Sequence, residues 1–124
     1  MTRLLTPLLL AACLTTASSA SFAAMNPFGP TGLPLTQADI ADMAAAVDPL
    51  LNDESLPIGT SREWSNSESG NSGKITLLKR FPYKYNGSTL NCRKLQYRFD
   101  IKGDADPYRM EVNRCAIGGK WKFL

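Results

Sequence analysis

Two stretches near the C-terminal end alternate between apolar and polar residues, and this alternation is the strongest constraint on the fold. In 91–102 one parity is apolar and holds Leu95, Tyr97, Phe99 and Ile101. In 108–116 the apolar parity holds Tyr108, Met110, Val112 and Ala116. Because side chains alternate between the two faces of a β-strand, both stretches are predicted to be strands with one buried face.

Gly103-Asp104 between these strands favours a two-residue type II′ turn, in which glycine comes first. The turn sets an antiparallel register with three apolar pairs: Leu95–Val112, Tyr97–Met110 and Phe99–Tyr108. The same register puts Cys92 opposite Cys115, at a distance that suits a cross-strand disulfide. We therefore predict that Cys92 and Cys115 are disulfide-bonded, as is typical of an exported chain.

A further strand is predicted at 74–85, with Pro82 at an edge or bulge. The turn signal Asn86-Gly87 follows it. A three-residue loop at 85–87 is favoured because it pairs Leu77 with Leu95 and keeps the apolar residues on one face. Gly118-Gly119 predicts one more turn, after which Trp121 and Phe123 return to the apolar face.

A helix is predicted to begin after Thr36, whose side chain is suited to cap it, with Asp39 in a capping-box position. Its apolar stripe has helical spacing and consists of Ile40, Met43, Val47 and Leu51. Pro49 is expected to end or kink the helix at Asp48. The predicted fold is α+β, with one N-terminal helix packed on a small, disulfide-bonded antiparallel β-meander of about four to five strands.

Residues 1–23 are predicted to be a cleaved secretion signal. Arg3 is followed by an apolar stretch, and Ser21-Phe22-Ala23 favours cleavage before Ala24. The apolar stretch is too short for a membrane span. Leu10-Ala11-Ala12-Cys13 also resembles a bacterial lipobox, so lipidation of Cys13 is the alternative. Residues 24–34, rich in Pro and Gly, are predicted to be a linker, and 35–124 one domain.

Charge is distributed unevenly along the chain. Residues 24–59 contain no Lys or Arg, and their acidic residues are Asp39, Asp42, Asp48, Asp53 and Glu54. All 14 Lys and Arg residues except Arg3 lie in 60–124. A basic module favours anionic partners such as lipid headgroups or glycans, unless the acidic segment packs on it and cancels its charge.

The chain contains no histidine, which removes the commonest general base and a common metal ligand. No nucleophile–base pair or metal-ligand spacing is present, so neither catalytic residues nor a cofactor is predicted. A small hydrolase that uses the carboxylates of Asp100 and Glu111 is the weakest function considered. The predicted register separates these two residues along an exposed strand face.

Nucleic acid is also a poor match as partner. The basic residues Lys94, Arg98 and Arg109 share the polar strand face with Lys102. Single-strand binders add aromatic stacking platforms to such a stripe. Here the aromatic residues of both strands have the opposite parity and are predicted to be buried.

Several short motifs resemble a known family. Trp64-Ser65-Asn66, Ser69-Gly70 and Gly73 look like the W-x-N-x-x-S/T-G-x-x-G opening of the bacterial 17 kDa outer-membrane surface antigen-like domain. Cys92-Arg93, Arg114-Cys115-Ala116 and the closing Gly119-x-Trp121 are similar to its later motifs, as is the helix start at 35–39. The glycine-zipper segment that many members carry is missing, and Arg114 precedes the second cysteine where a following basic residue is expected.

The resemblance implies an envelope protein of a Gram-negative bacterium, with no implied chemistry. The function expected from the sequence is therefore that of an exported, non-catalytic interaction or structural module, either periplasmic or outer-membrane-associated. Its partner is expected to be an envelope protein, a lipid headgroup or a glycan. The alternative is a secreted inhibitor or effector that binds a protein target.

The first prediction concerns processing. Mass spectrometry of the exported protein is expected to find Ala24 at or near the mature N-terminus, because Ser21 and Ala23 are the small residues that signal peptidase requires. Diacylglyceryl-Cys13 as the first residue would contradict this prediction and identify a lipoprotein.

Overall fold

A computed structural model describes residues 26–124. A short 3-10 helix at Gly29–Thr31 precedes one α-helix and a five-stranded antiparallel sheet. The elements are α1 (Gln37–Asn52), β1 (Ser61–Ser65), β2 (Ser72–Tyr85), β3 (Ser88–Asp100), β4 (Tyr108–Ile117) and β5 (Lys120–Phe123). Strands that follow one another in the chain are neighbours in the sheet, which curls into a half-barrel with α1 against it. The predicted α+β meander is confirmed.

The register of β3 and β4 is the predicted one, and it includes the disulfide between Cys92 and Cys115. The predicted Gly103-Asp104 turn is wrong, because residues 101–107 form a longer connection. In it the Asp104 N–H donates to the Ile101 carbonyl (3.0 Å), and Gly103 takes the third turn position with a φ of 90°. The apolar face and the disulfide determine the register, so it does not depend on the turn type.

The three-residue loop predicted between β2 and β3 is also wrong. Asn86 and Gly87 form a two-residue turn with φ values of 48° and 75°, typical of type I′. Tyr85 pairs with Ser88, and a β-bulge between Leu77 and Lys79 then shifts the register by one residue. The bulge restores the predicted pairing of Leu77 with Leu95.

Helix α1 was expected to end or kink at Asp48. It continues through Pro49 and ends at Asn52. The last turn buries Leu50 and Leu51, and the Asp53 N–H donates to the Pro49 carbonyl (2.9 Å). Burial of the two leucines outweighs the single hydrogen bond that proline cannot donate.

Asp39 joins the start of α1 to the β1–β2 loop. Its carboxylate is buried and accepts hydrogen bonds from the Ser69 hydroxyl (2.6 Å), the side-chain amides of Asn66 (2.9 Å) and Asn71 (2.8 Å), and the Thr36 N–H (2.9 Å). Burial disfavours the carboxylate, but the hydrogen bonds together outweigh it and hold the pKa of Asp39 below its usual value. Asn66, Ser69 and Asn71 therefore hold the start of the helix against the β1–β2 loop.

The core lies between α1 and the concave face of the sheet. Phe28, which lies in the segment expected to be a linker, packs its ring on Tyr97 (5.0 Å between centroids) and Phe99 (5.1 Å). Trp64 packs over Gly73, where a Cβ atom would overlap the Arg98 carbonyl and the indole. A side chain larger than hydrogen at position 73 would therefore disrupt the packing of Trp64.

The second prediction tests the Asp39 network. Asp39→Ala removes the acceptor of four hydrogen bonds and is expected to lower the free energy of unfolding by about 3 kcal/mol. Because the pKa of Asp39 is depressed, its contribution is present above a pH of about 4 and lost as the pH falls through the folded-state pKa. Asp39→Asn is therefore expected to show a smaller loss of stability in acid than the unmodified protein. Equal acid dependence would contradict this, and Asp42→Asn on the same helix is the control.

The third prediction tests the disulfide. Replacing both Cys92 and Cys115 with Ala is expected to lower the free energy of unfolding by roughly 3 kcal/mol, because the bridge spans 23 residues of sequence. The expected fall in Tm is more than about 10 °C for a domain of this size. Thermal unfolding monitored by circular dichroism measures it. Non-reducing peptide mapping should show both cysteines in one linked fragment, and free thiols at both would refute the connectivity.

Candidate functional site

The bulge in β2 changes which side chains face outward. Cα partners on antiparallel strands share a face, so Phe81, opposite Cys92, and Tyr83, opposite Leu90, lie on the convex face away from α1. Tyr85, the last residue of the strand, has the same parity. Without the bulge these three aromatic side chains would have the parity of Leu77 and face the core.

Strands β4 and β5 extend the same apolar surface across the disulfide. Cys115 and Ile117 have the parity of Cys92, and the Leu124 N–H donates to the Asn113 carbonyl (3.1 Å). A shallow groove beside the disulfide is lined by Phe81, Tyr83, Asn113, Cys115 and Leu124. The exposed fractions of Tyr83, Tyr85 and Leu124 are 48%, 47% and 55%. We call this surface the aromatic patch, and its members are Phe81, Tyr83, Tyr85, Leu90, Ile117 and Leu124.

Lysines border the aromatic patch on the same face. Lys79 pairs with Lys94 on one side, and Lys120 and Lys122 lie opposite Ile117 and Cys115 on the other. Within residues 26–124 the only carboxylate in an ion pair with these lysines is Glu111, which lies 3.6 Å from Lys94 with both side chains exposed. The Lys79 ammonium also lies 5.5 Å from the centre of the Phe81 ring.

The other end of the convex face is polar. Arg98 lies opposite both Lys74 and Arg109, and its guanidinium lies 3.1 Å from the carboxylate of Asp100. Of the four basic residues expected on one face, the structure places Lys94, Arg98 and Arg109 there. Lys102 instead lies in the connection after β3, where its stem packs on Gly70.

The two carboxylates of the hydrolase hypothesis are not brought together. Asp100 lies opposite Ser72 and contacts Arg98, whereas Glu111 lies opposite Gln96 and contacts Lys94. Each carboxylate is thus engaged in its own exposed ion pair.

Two further observations apply to residues 26–124 alone. No three side chains of the types that commonly ligate metals cluster there. No helix in this part of the chain has the length and apolar character needed to cross a membrane. The predicted signal at 1–23, the cleavage before Ala24 and the lipidation of Cys13 lie outside the described residues.

Comparison with protein-family models, curated proteins and solved structures finds no match for this chain. The resemblance to the 17 kDa surface antigen-like domain therefore stays a prediction that rests on its motifs.

The aromatic patch does not follow from a regular strand at 74–85. A regular strand places Phe81, Tyr83 and Tyr85 on the same face as Leu77, whereas the extra residue Leu78 moves them to the opposite face. A two-residue turn at Asn86-Gly87 and the pairing of Leu77 with Leu95 differ in register by one residue, so a strand that has both must contain a bulge. The conflict between these two registers is the feature of the sequence that indicates the bulge, and with it the outward-facing aromatic residues.

Proposed function

We propose that this protein is an exported, non-catalytic module of the cell envelope that docks on an anionic membrane surface through its aromatic patch. The observation that carries the proposal is the combination of exposed Tyr83, Tyr85 and Leu124 with the bordering lysines on one sheet face. An exposed apolar surface bordered by one sign of charge is typical of an interaction site.

The chemistry of the patch suits the interfacial region of a bilayer. Tyrosine rings concentrate at this level, where the ring is in an apolar environment and the hydroxyl stays hydrated. Each lysine near an anionic surface contributes about 1 kcal/mol to binding, an effect that salt screens. Lys120 and Lys122 are exposed and form no ion pair within residues 26–124.

Two other observations support the proposed location and the absence of catalysis. The Cys92–Cys115 disulfide is typical of proteins that fold in oxidising compartments such as the periplasm. The carboxylates of Asp100 and Glu111 are held in separate ion pairs, and the chain has no histidine to act as a base.

The fourth prediction tests membrane docking by co-sedimentation with vesicles. The mature oxidised protein is expected to bind vesicles that contain phosphatidylglycerol more tightly than vesicles of phosphatidylcholine alone, at low salt. Lys120→Gln with Lys122→Gln removes about 2 kcal/mol of attraction, which weakens binding roughly thirty-fold. Tyr83→Ser with Tyr85→Ser should weaken binding to both lipid mixtures.

Matched controls lie at the other end of the molecule. Tyr108 is 46% exposed, so Tyr108→Ser removes a similarly exposed ring outside the patch. Lys74→Gln with Arg109→Gln removes two charges from the polar end of the same face. Equal binding by the patch variants and these controls would refute docking through the patch. If none of the proteins binds vesicles, membrane docking is refuted, and a protein target, as for a secreted inhibitor, takes its place.

A further inference from the structure

Three arginines lie side by side on the concave face, beyond the end of the apolar core. Arg80 of β2 pairs with Arg93 of β3, and Arg93 pairs with Arg114 of β4. The bulge that turns Phe81 outward also turns Arg80 inward, next to Arg93. Like charges directly opposite each other on neighbouring strands are destabilising unless something balances them.

Protein groups hold each guanidinium in place. Arg93 is buried, donates to the Cys92 carbonyl (3.0 Å) and lies under the Trp121 ring (5.1 Å). Arg114 donates to the Trp121 carbonyl (3.0 Å). Arg80 donates to the carbonyls of Leu56 (2.7 Å) and Asp53 (3.3 Å), just after the C-terminal end of α1. The two outer arginines thus donate to neutral carbonyls, and neither forms an ion pair with a carboxylate within residues 26–124. The charge of Arg80 does contribute to lowering the pKa of Asp53, after the hydrogen bonds from Ser55.

The negative charge near this row is small. Within residues 26–124 the only carboxylate in an ion pair with the three arginines is that of Glu54, 3.5 Å from Arg93, and its side chain is 75% exposed. Burial, and after it the charge of Arg80, lower the pKa of Arg93, while Glu54 opposes this effect. The Nε–H groups of Arg80 and Arg93 are covered and have no acceptor among the described residues.

Arg80 and Arg93 face a cleft that is open to solvent. The cleft has a volume of ≈ 310 Å³ and is lined by Glu54, Arg80, Phe81, Pro82, Asn91 and Arg93. Its two guanidinium groups come from neighbouring strands, and Asn91, two residues before Arg93, adds a side-chain amide at the exposed edge. Glu54, on the connection after α1, is the one carboxylate among the residues that line the cleft.

We propose that Arg80 and Arg93, together with Asn91, bind a phosphate group in this cleft, and that the Glu54 carboxylate occupies the phosphate position in the free protein. Two guanidinium groups balance a doubly charged tetrahedral anion, and each can donate to different oxygens of it. The Glu54 side chain is 75% exposed, so solvent screens its attraction to the buried Arg93. A phosphate group that contacts both Arg80 and Arg93 replaces this single ion pair with two charge-assisted contacts. The inference is independent of membrane docking, because its two guanidinium groups lie on the opposite face of the sheet from Tyr83 and from the lysines that border the aromatic patch.

The fifth prediction is tested by titrating inorganic phosphate into the ¹⁵N-labelled mature protein. The backbone signals of Arg80, Asn91 and Arg93 are expected to shift saturably. Glu54→Gln removes the internal competitor and should tighten binding several-fold. Arg80→Gln should weaken it by about ten-fold or more, as expected for the loss of a charge-assisted pair. Arg62→Gln, an exposed arginine of β1, is the charge-matched control and should bind as the unmodified protein does.

Further titrations distinguish phosphate from other anions. Acetate is expected to bind more weakly than phosphate; equal binding would overturn the assignment to phosphate. No saturable shift with phosphate, or weaker binding by Glu54→Gln, would overturn the site itself. Glycerol phosphate separates two sources of the same chemistry: tighter binding than inorganic phosphate supports a phosphate ester such as a lipid headgroup, whereas weaker binding supports the free ion. Because Arg80→Gln and Glu54→Gln leave Arg93 in place, the test does not depend on a variant that lacks the buried guanidinium.

Discussion

The buried carboxylate of Asp39 is the interaction on which the placement of the helix depends. It accepts a hydrogen bond from the Thr36 N–H, which caps the N-terminal end of α1. It also accepts hydrogen bonds from Asn66, Ser69 and Asn71 of the β1–β2 loop. A buried carboxylate without these donors would be strongly destabilising, so loop and helix are ordered together. The helix start then determines where the apolar stripe of α1 meets the sheet, and hence which part of the concave face stays uncovered.

The bulge in β2 has a comparable influence on the surface. Because side chains alternate with a period of two, one extra residue at Leu78 exchanges the faces for the rest of the strand. Phe81 and Tyr83 therefore leave the core face, and Arg80 enters it. The outward position of Phe81 and Tyr83 and the placement of Arg80 beside Arg93 are two consequences of the same backbone irregularity. Both lie in the half of the sheet that ends at the β2–β3 turn.

The sequence predicted the parts of the fold that long, regular patterns determine. The alternation in β3 and β4 gave the register and, through it, the Cys92–Cys115 disulfide, because shifting either strand by one residue would expose its whole apolar face. Features that depend on one or two residues were predicted with mixed success: the Thr36–Asp39 capping box is confirmed, but the turns at 85–87 and 103–104 were predicted incorrectly. Pro49 was expected to end or kink the helix at Asp48, but the helix continues to Asn52, where burial of Leu50 and Leu51 stabilises its last turn. The aromatic patch and the position of Arg80 in the cleft depend on the β2 bulge, which no periodic pattern in the sequence predicts.

The opposite faces of one sheet constrain how the two proposed sites can act together. A bilayer that contacts Tyr83 and Lys122 lies against the convex face, whereas Arg80 and Arg93 open on the concave side, beside the connection that follows α1. The sheet itself separates the two, and the Cys92–Cys115 bridge links β3 to β4 between them. The two sites meet at Phe81, which lines both the cleft and the groove beside the disulfide. The guanidinium groups that bind the phosphate group nevertheless lie on the face of the sheet away from the lysines that border the patch. The geometry suits a module that lies on one surface and presents its anion site away from that surface.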